Sequence, residues 1–227
     1  MLGTIVNVGT ILTGCTVGCL FKKGISEKYT KVMIDGLGLA AVCLGLNSSI
    51  HAMPDSEYKV MFIVCIVLGG VIGTAIDIDG RFNGLVSRFS KGSSFATGLS
   101  MAILLYCVGT FSIVGPMQSA LQGDNTFLYT NAMLDGITSI VLSSTYGFGI
   151  AFSAVAIFCW QGSIYLLAKV IEPLITTALL TEISIVGGLL ILSSGLSILK
   201  IKEIKTLNYL PALFLPAVLI GIINLII

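Results

Sequence analysis

Three features of this chain predict an all-α fold, a polytopic membrane helix bundle of about eight spans. Hydrophobic residues make up 56% of the sequence and charged residues 10%, whereas a soluble domain carries about 25% charged residues to cover its wet surface. Runs of about 20 apolar residues recur along its length, enough for an α-helix to cross the hydrocarbon of a bilayer. No Lys or Arg occurs between Lys91 and Lys169. Mean hydropathy is +1.03, and the 26 glycines suit membrane helices, where small residues let backbones approach closely. A net charge of +1 gives no footprint for nucleic acid. The expected partner is the lipid bilayer.

The apolar segments fall near 2–21, 32–50, 59–76, 95–116, 127–145, 148–169, 180–199 and 207–226. The first, in MLGTIVNVGTILTGCTVGCLF, has no basic stretch before it and no small-residue cleavage site. It reads as a spanning helix and not as a removable signal. The fifth is interrupted by Asp135, Gly136, Ser143, Ser144 and Thr145, as a re-entrant or broken helix would be.

Positive charge sets the expected orientation. Lys22, Lys23, Lys28 and Lys31 lie in the first loop, Arg81, Arg88 and Lys91 in the third, and Lys200, Lys202 and Lys205 in the seventh. Eight crossings put all of these on one side and only Lys59 and Lys169 on the other. The positive-inside rule then places both termini outside the cytoplasm. A re-entrant fifth segment would move the last basic loop to the wrong side, so the tally favours a true crossing. In residues 80–91, Phe82, Leu85, Val86 and Phe89 share one helical face, away from Arg81, Arg88 and Lys91. That pattern fits either a short helix along the interface or an unstructured basic loop.

The whole chain, 1–227, reads as a single transmembrane domain with an internal echo. An offset of 150 residues lays Gly38 and Leu39 on Gly188 and Leu189, and Gly45 and Leu46 on Gly195 and Leu196. Lys31 precedes the second segment and Lys200 follows the seventh, so the two cross in opposite senses. Spans 1–3 (1–77) and 6–8 (151–227) would then form an inverted repeat around a central pair, 95–145. Many transporters are built this way, with the site near the midplane. Chance similarity of glycine-rich helices is the alternative.

Asp135 is the first candidate for function. A carboxylate about ten residues into a spanning helix costs roughly 2.5–3.5 kcal/mol on insertion scales, and it usually faces a bundle interior or a wet cavity. Asn131, Asp135, Ser139 and Ser143 recur every four residues and so form one stripe on a helix. Thr138 flanks it. Such a stripe offers oxygens to Na⁺, or a proton site with supporting hydroxyls. Its structural alternative is a polar seam that only bonds Asp135 to a neighbouring helix.

Gly115, Pro116 and Gln118 end the fourth segment. Pro removes a donor and frees carbonyls that can bind a cation where they line a cavity, or the helix simply ends there. Asn7 in the first segment and Gln161 in the sixth are intramembrane amides, suited to interhelical bonding or to ligation. The candidate ion- or substrate-binding set is therefore Asp135, Asn131, Ser139, Ser143, Gly115, Gln118 and Asn7, with no metal centre, no cofactor beyond a coupling Na⁺ or H⁺, and no catalytic residue. Asp35 and Glu182 lie near segment ends and read as partly solvated, as do Asp77, Asp79 and the lone His51.

The six cysteines all fall within apolar segments, where they act as small packing residues. Gly14 with Gly18 and Gly69 with Gly73 are small-xxx-small pairs, suited to packing within the chain or to a homodimer.

The stretch from Leu105 to Ala154, with its LYCVG, VGPMQ and LDGI motifs, resembles the domain of unknown function 554 family, the YdfK/YqgA-like bacterial inner-membrane proteins. The opening MLGTIVNVGTILTG, the tract IVGGLLILSSGLSIL and the ending KIKEIKTLNYLPAL fit the same family, so the resemblance covers nearly the whole chain. It implies a multi-pass protein of the bacterial plasma membrane and brings no substrate or site residue with it.

The leading functional expectation is a secondary transporter that couples H⁺ or Na⁺ at Asp135 to a small polar solute. An uncoupled channel and a non-transporting scaffold or assembly protein are the alternatives. A channel would ignore an imposed ion gradient. A scaffold would tolerate Asp135→Asn and be harmed by charge reversals in the basic loops. Enzymatic function is not expected: no Ser–His pair, HExxH or facing Gly-Asp motif occurs.

Overall fold

The computed structural model describes residues 1–20, 26–81, 84, 94–107, 110–172 and 176–226. No strand occurs among the described residues. Among the described residues nine helices carry the architecture: α1 Leu2–Leu20, α2 Glu27–Ala52, α3 Met61–Ile76, α4 Ser94–Cys107, α5 Thr110–Leu121, α6 Thr126–Tyr146, α7 Ser153–Ile171, α8 Thr177–Ile198 and α9 Leu215–Ile226. Shorter 3₁₀ stretches cover Met53–Asp55, Phe148–Phe152 and Thr206–Leu213. Most of the amphipathic segment expected at 80–91 lies outside the described residues.

Five stretches of helix are long and apolar enough to cross a membrane among the described residues: Leu2–Leu20, Ile34–Asp55, Phe148–Ile171, Thr177–Ile198 and Thr206–Leu225. For the third and fifth of the eight expected segments the difference has a physical cause. Met61–Ile76 is apolar but has 16 residues, about 24 Å of helix against a hydrocarbon core of about 30 Å. Residues 108 and 109 of the segment at 95–116, between α4 and α5, lie outside the described residues. In α6 the length suffices, at 21 residues, but the polar stripe lowers its hydropathy.

The expected end at Pro116 is also corrected, because α5 runs through this proline to Leu121. Membrane helices accommodate an internal proline when neighbouring helices and side chains satisfy the freed backbone groups.

The chain divides into two compact units, Met1–Leu37 with Phe82–Val170, and Gly38–Arg81 with Ile171–Ile227. In the first, Ile11, Cys15, Ala102, Tyr106, Ile150, Ala154 and Ile157 form a buried cluster. Phe111 meets Phe127 edge to face at 6.0 Å. Asp124 Oδ1 accepts from the Thr126 backbone N–H at 2.8 Å, opening α6, and Gly147 closes it at φ 85°, a value that favours glycine.

In the second unit α3 lies against Thr206–Leu213, with Gly69 facing Ala212 and Gly70 facing Tyr209. The chain turns out of α3 at Asp77, whose N–H reaches Gly73 O and Thr74 O. Thr176 Oγ1 accepts from Leu179 N at 3.2 Å and starts α8.

The burial pattern inverts that of a soluble protein. Val67, Val71, Val155, Leu166 and Leu167 are exposed, while Asn7, Asp135, Ser139, Gln161 and Glu182 are buried. Apolar side chains facing outward on long helices are what a lipid environment requires.

Candidate functional site

The site begins with the close crossing of α1 and α6. A Cβ added at Gly14 would strike Gly136 O, and one at Gly18 would strike Ser143 Oγ. Small residues thus bring the two backbones together. Thr10 Oγ1 lies 2.8 Å from Ala132 O, tying α1 to the α6 backbone. At the start of α1, the Gly3 N–H donates to Asn125 Oδ1 at 3.2 Å. These contacts fix the register that places Asn7 opposite Asp135.

Asp135 is the tenth of 21 residues of α6 and is 4% exposed. Asn7 Nδ2 donates to its Oδ2 at 2.8 Å. Asn131 Nδ2, one turn earlier on α6, donates to the same oxygen at 2.9 Å. Oδ1 receives no side-chain donor, and no Lys, Arg or His pairs with the carboxyl, among the described residues. The aspartate therefore sits near the middle of its helix with two amide donors and no counter-charge among the described residues.

The other expected residues divide. Ser139 is fully buried, and its Oγ lies 2.6 Å from the Tyr106 hydroxyl, so it is already engaged. Ser143 bonds back to Ile140 O at 3.4 Å and packs on Gly18. Thr138 likewise bonds to Leu134 O on its own helix. Gly115 meets α6 at Leu128, two turns before Asp135, and Gln118 is buried on α5. Neither bonds to the carboxyl. The structure brings Asn7, Asn131 and Asp135 together and leaves Gly115, Gln118 and Ser143 apart from them.

Further polar groups lie in the same unit, among them the intramembrane amide expected at Gln161. Gln161 on α7 is fully buried, and its Nε2 donates to Ser112 Oγ at 3.2 Å. Thr4 Oγ1, Asn7 Oδ1 and Gln161 Oε1 are buried without a hydrogen-bond partner among the described residues. Thr4 and Asn7 are three residues apart, which places them on one face of α1. Tyr106 could have been suspected from sequence, since a buried tyrosine needs a partner for its hydroxyl.

In the second unit Glu182 corrects an expectation. Capping at Thr176 puts it in the second turn of α8, and it is 1% exposed, where partial solvation was expected. Its Oε1 accepts from Ser56 Oγ, and Oε2 has no partner among the described residues. The glycine faces that suggested a homodimer are occupied inside the chain. Gly14 and Gly18 pack on α6, and Gly69 and Gly73 pack on the 206–213 stretch. Among the described residues no group of three or more His, Cys, Asp or Glu could hold a metal ion.

The profile of the family described as "Protein of unknown function (DUF554)" matches residues 2–221. The chain is 55% identical to the uncharacterized membrane protein YdfK of Bacillus subtilis over 224 residues, covering 99% of this chain and 97% of that protein. It is 26% identical to the uncharacterized protein YqgA of Escherichia coli, covering 95% and 94%. No solved structure matches it.

Proposed function

The chain belongs to the DUF554 family of proteins of unknown function, and from that premise we propose that it is a secondary transporter, coupling H⁺ or Na⁺ to a small polar solute across the plasma membrane. The observation that carries this reading is the environment of Asp135, buried near the middle of α6, held by Asn7 and Asn131 and given no basic partner among the described residues. A carboxyl in such a place is neutralised by a proton or by a bound cation. Taking up and releasing that charge is how coupled transporters use intramembrane acids. The site binds and releases an ion and needs no bond-making chemistry.

Eight crossings with both termini outside the cytoplasm belong to the same proposal and rest on the distribution of Lys and Arg. The inverted repeat gains support from a reciprocal contact in the second unit. A Cβ at Gly45 would lie 2.6 Å from Gly188 O, and one at Gly195 would lie 3.0 Å from Gly38 O. The offset of 150 that equates Gly38 with Gly188 and Gly45 with Gly195 turns each of these contacts into the other. Two helices related by a two-fold axis in the membrane plane pack this way.

Proteoliposomes test the reading. An imposed proton or sodium gradient should drive accumulation from a mixture of small polar solutes, and Asp135→Asn should abolish it in a folded protein. Uptake that follows the solute gradient alone would make the protein a channel. A silent Asp135→Asn, with harmful charge reversals at Lys200, Lys202 and Lys205, would make it a scaffold.

A further inference from the structure

We infer that Glu182 is a second proton-binding carboxyl, set in the second unit and independent of what Asp135 binds. It lies in the second turn of α8 and is 1% exposed. Oε1 accepts from the Ser56 hydroxyl, and Oε2 is closed to solvent with no hydrogen-bond partner among the described residues. No Lys, Arg or His bonds to either oxygen among those residues. Intramembrane acids of this kind mark ion paths and proton relays.

The surroundings suit the neutral carboxyl. Ionised, its two oxygens would share one neutral hydroxyl donor, and a buried charge without a counter-charge or several donors is strongly disfavoured. Protonated, it leaves at most a buried O–H short of a partner, a much smaller cost. In the second unit the titratable groups on elements packed against α8 are Cys43 and His51 of α2, Asp55 of the 53–55 stretch, Cys65 of α3 and Tyr209 of the 206–213 stretch. Cys43, His51 and Asp55 are exposed, and Tyr209 packs on Gly70. Cys65 is the buried one, within electrostatic reach of Glu182, and a thiol supplies no positive charge.

A proton fits this carboxyl better than a larger ligand. A metal ion needs a shell of oxygens, and the neighbouring hydroxyls are spent on backbone carbonyls. Ser49 donates to Ile185 O at 3.0 Å, Ser48 to Ser184 O at 3.3 Å and Ser184 to Leu180 O at 2.8 Å. A solute group needs volume beside Oε2, which solvent does not reach. A proton needs one lone pair and no space. Access to the carboxyl is short. Ser56 Oγ accepts from the Tyr58 N–H at 3.2 Å, and Glu57, Tyr58 and Lys59 form the polar lining of a crevice of about 560 Å³. Loss of the proton would set a bare charge against the Ser56 contact. That favours a conformation in which the α2–α3 connection parts from α8 and admits water.

Infrared spectroscopy of the purified protein in lipid tests this, through the carbonyl band of a protonated carboxylic acid. Glu182→Gln should lose one such band at neutral pH. Asp135→Asn should keep that band, which separates this inference from the reading of Asp135. Dicyclohexylcarbodiimide, an apolar reagent for protonated carboxyls, should add to the wild-type peptide carrying Glu182, and less as the pH is raised. This second measurement depends on no variant folding. An acid band unchanged by Glu182→Gln would overturn the inference, and so would the absence of an adduct at Glu182 at every pH.

Discussion

Asn7 and Asp135 are separated by 128 residues of chain and joined by one hydrogen bond of 2.8 Å inside the first unit. The bond exists because glycines on α1 let it reach the α6 backbone, so the packing and the site have a common origin. Asn7→Leu removes the interhelical donor while keeping side-chain volume. It should lower the stability of the folded protein by about 1.5–3 kcal/mol, the range for a hydrogen bond to a charged group. Chemical or thermal unfolding in detergent checks this.

Two glycines of α1 should behave oppositely when replaced by alanine. Gly9 has nothing within 4 Å of an added Cβ, whereas at Gly14 the Cβ meets the Gly136 carbonyl. Gly9→Ala should be neutral or stabilising by up to about 1 kcal/mol through helix propensity. Gly14→Ala should destabilise by about 1–3 kcal/mol, because a backbone atom cannot step aside as a side chain can. Unfolding temperatures of the two single variants, measured side by side, decide the point.

Gly45 and Gly188 should be energetically coupled. Each stands where the other's Cβ would go, so once one alanine has forced the helices apart the second adds less. A double-mutant cycle of Gly45→Ala and Gly188→Ala should return a coupling of about 0.5–3 kcal/mol. The cycle of Gly195→Ala with a bulkier residue at Gly38 should behave alike if the two crossings are equivalent.

Ser56 should hold the connection between α2 and α3 in place. Its hydroxyl donates to Glu182 Oε1 and its Oγ accepts from the Tyr58 N–H at 3.2 Å. Ser56→Ala leaves Glu182 without a donor from a side chain and should destabilise by about 1–3 kcal/mol. Faster amide exchange confined to residues 53–60 would locate the loss.

The sequence made the bundle and the acid of α6 legible for a physical reason. Apolar runs and an intramembrane carboxylate are local patterns, visible without knowing what packs against them. The four-residue spacing put Asn131 beside Asp135, and the bond between them is intrahelical. What stayed hidden is long-range. No local pattern pairs Tyr106 with Ser139, and none leaves Thr4 and Gln161 with unpartnered oxygens. Glu182 was read as near an interface because its helix was expected from residue 180. The cap at Thr176 moved the start back and carried the glutamate into the packed interior. The glycines at 38, 45, 188 and 195 were visible as a pattern, but only the fold shows that they are one another's partners.

Transport coupled at Asp135 requires that this carboxyl bind an ion. The most direct measurement is the unfolding temperature of the purified protein and of Asp135→Asn, across Na⁺, K⁺ and Li⁺ and from acid to neutral pH. A ligand that binds only the folded state raises stability by RT ln(1 + [L]/Kd), about 2.7 kcal/mol at a hundredfold excess over Kd. A saturable rise with one ion or with acid is expected in the wild type, and no such rise in Asp135→Asn. Equal stability of the two proteins under every condition would contradict it.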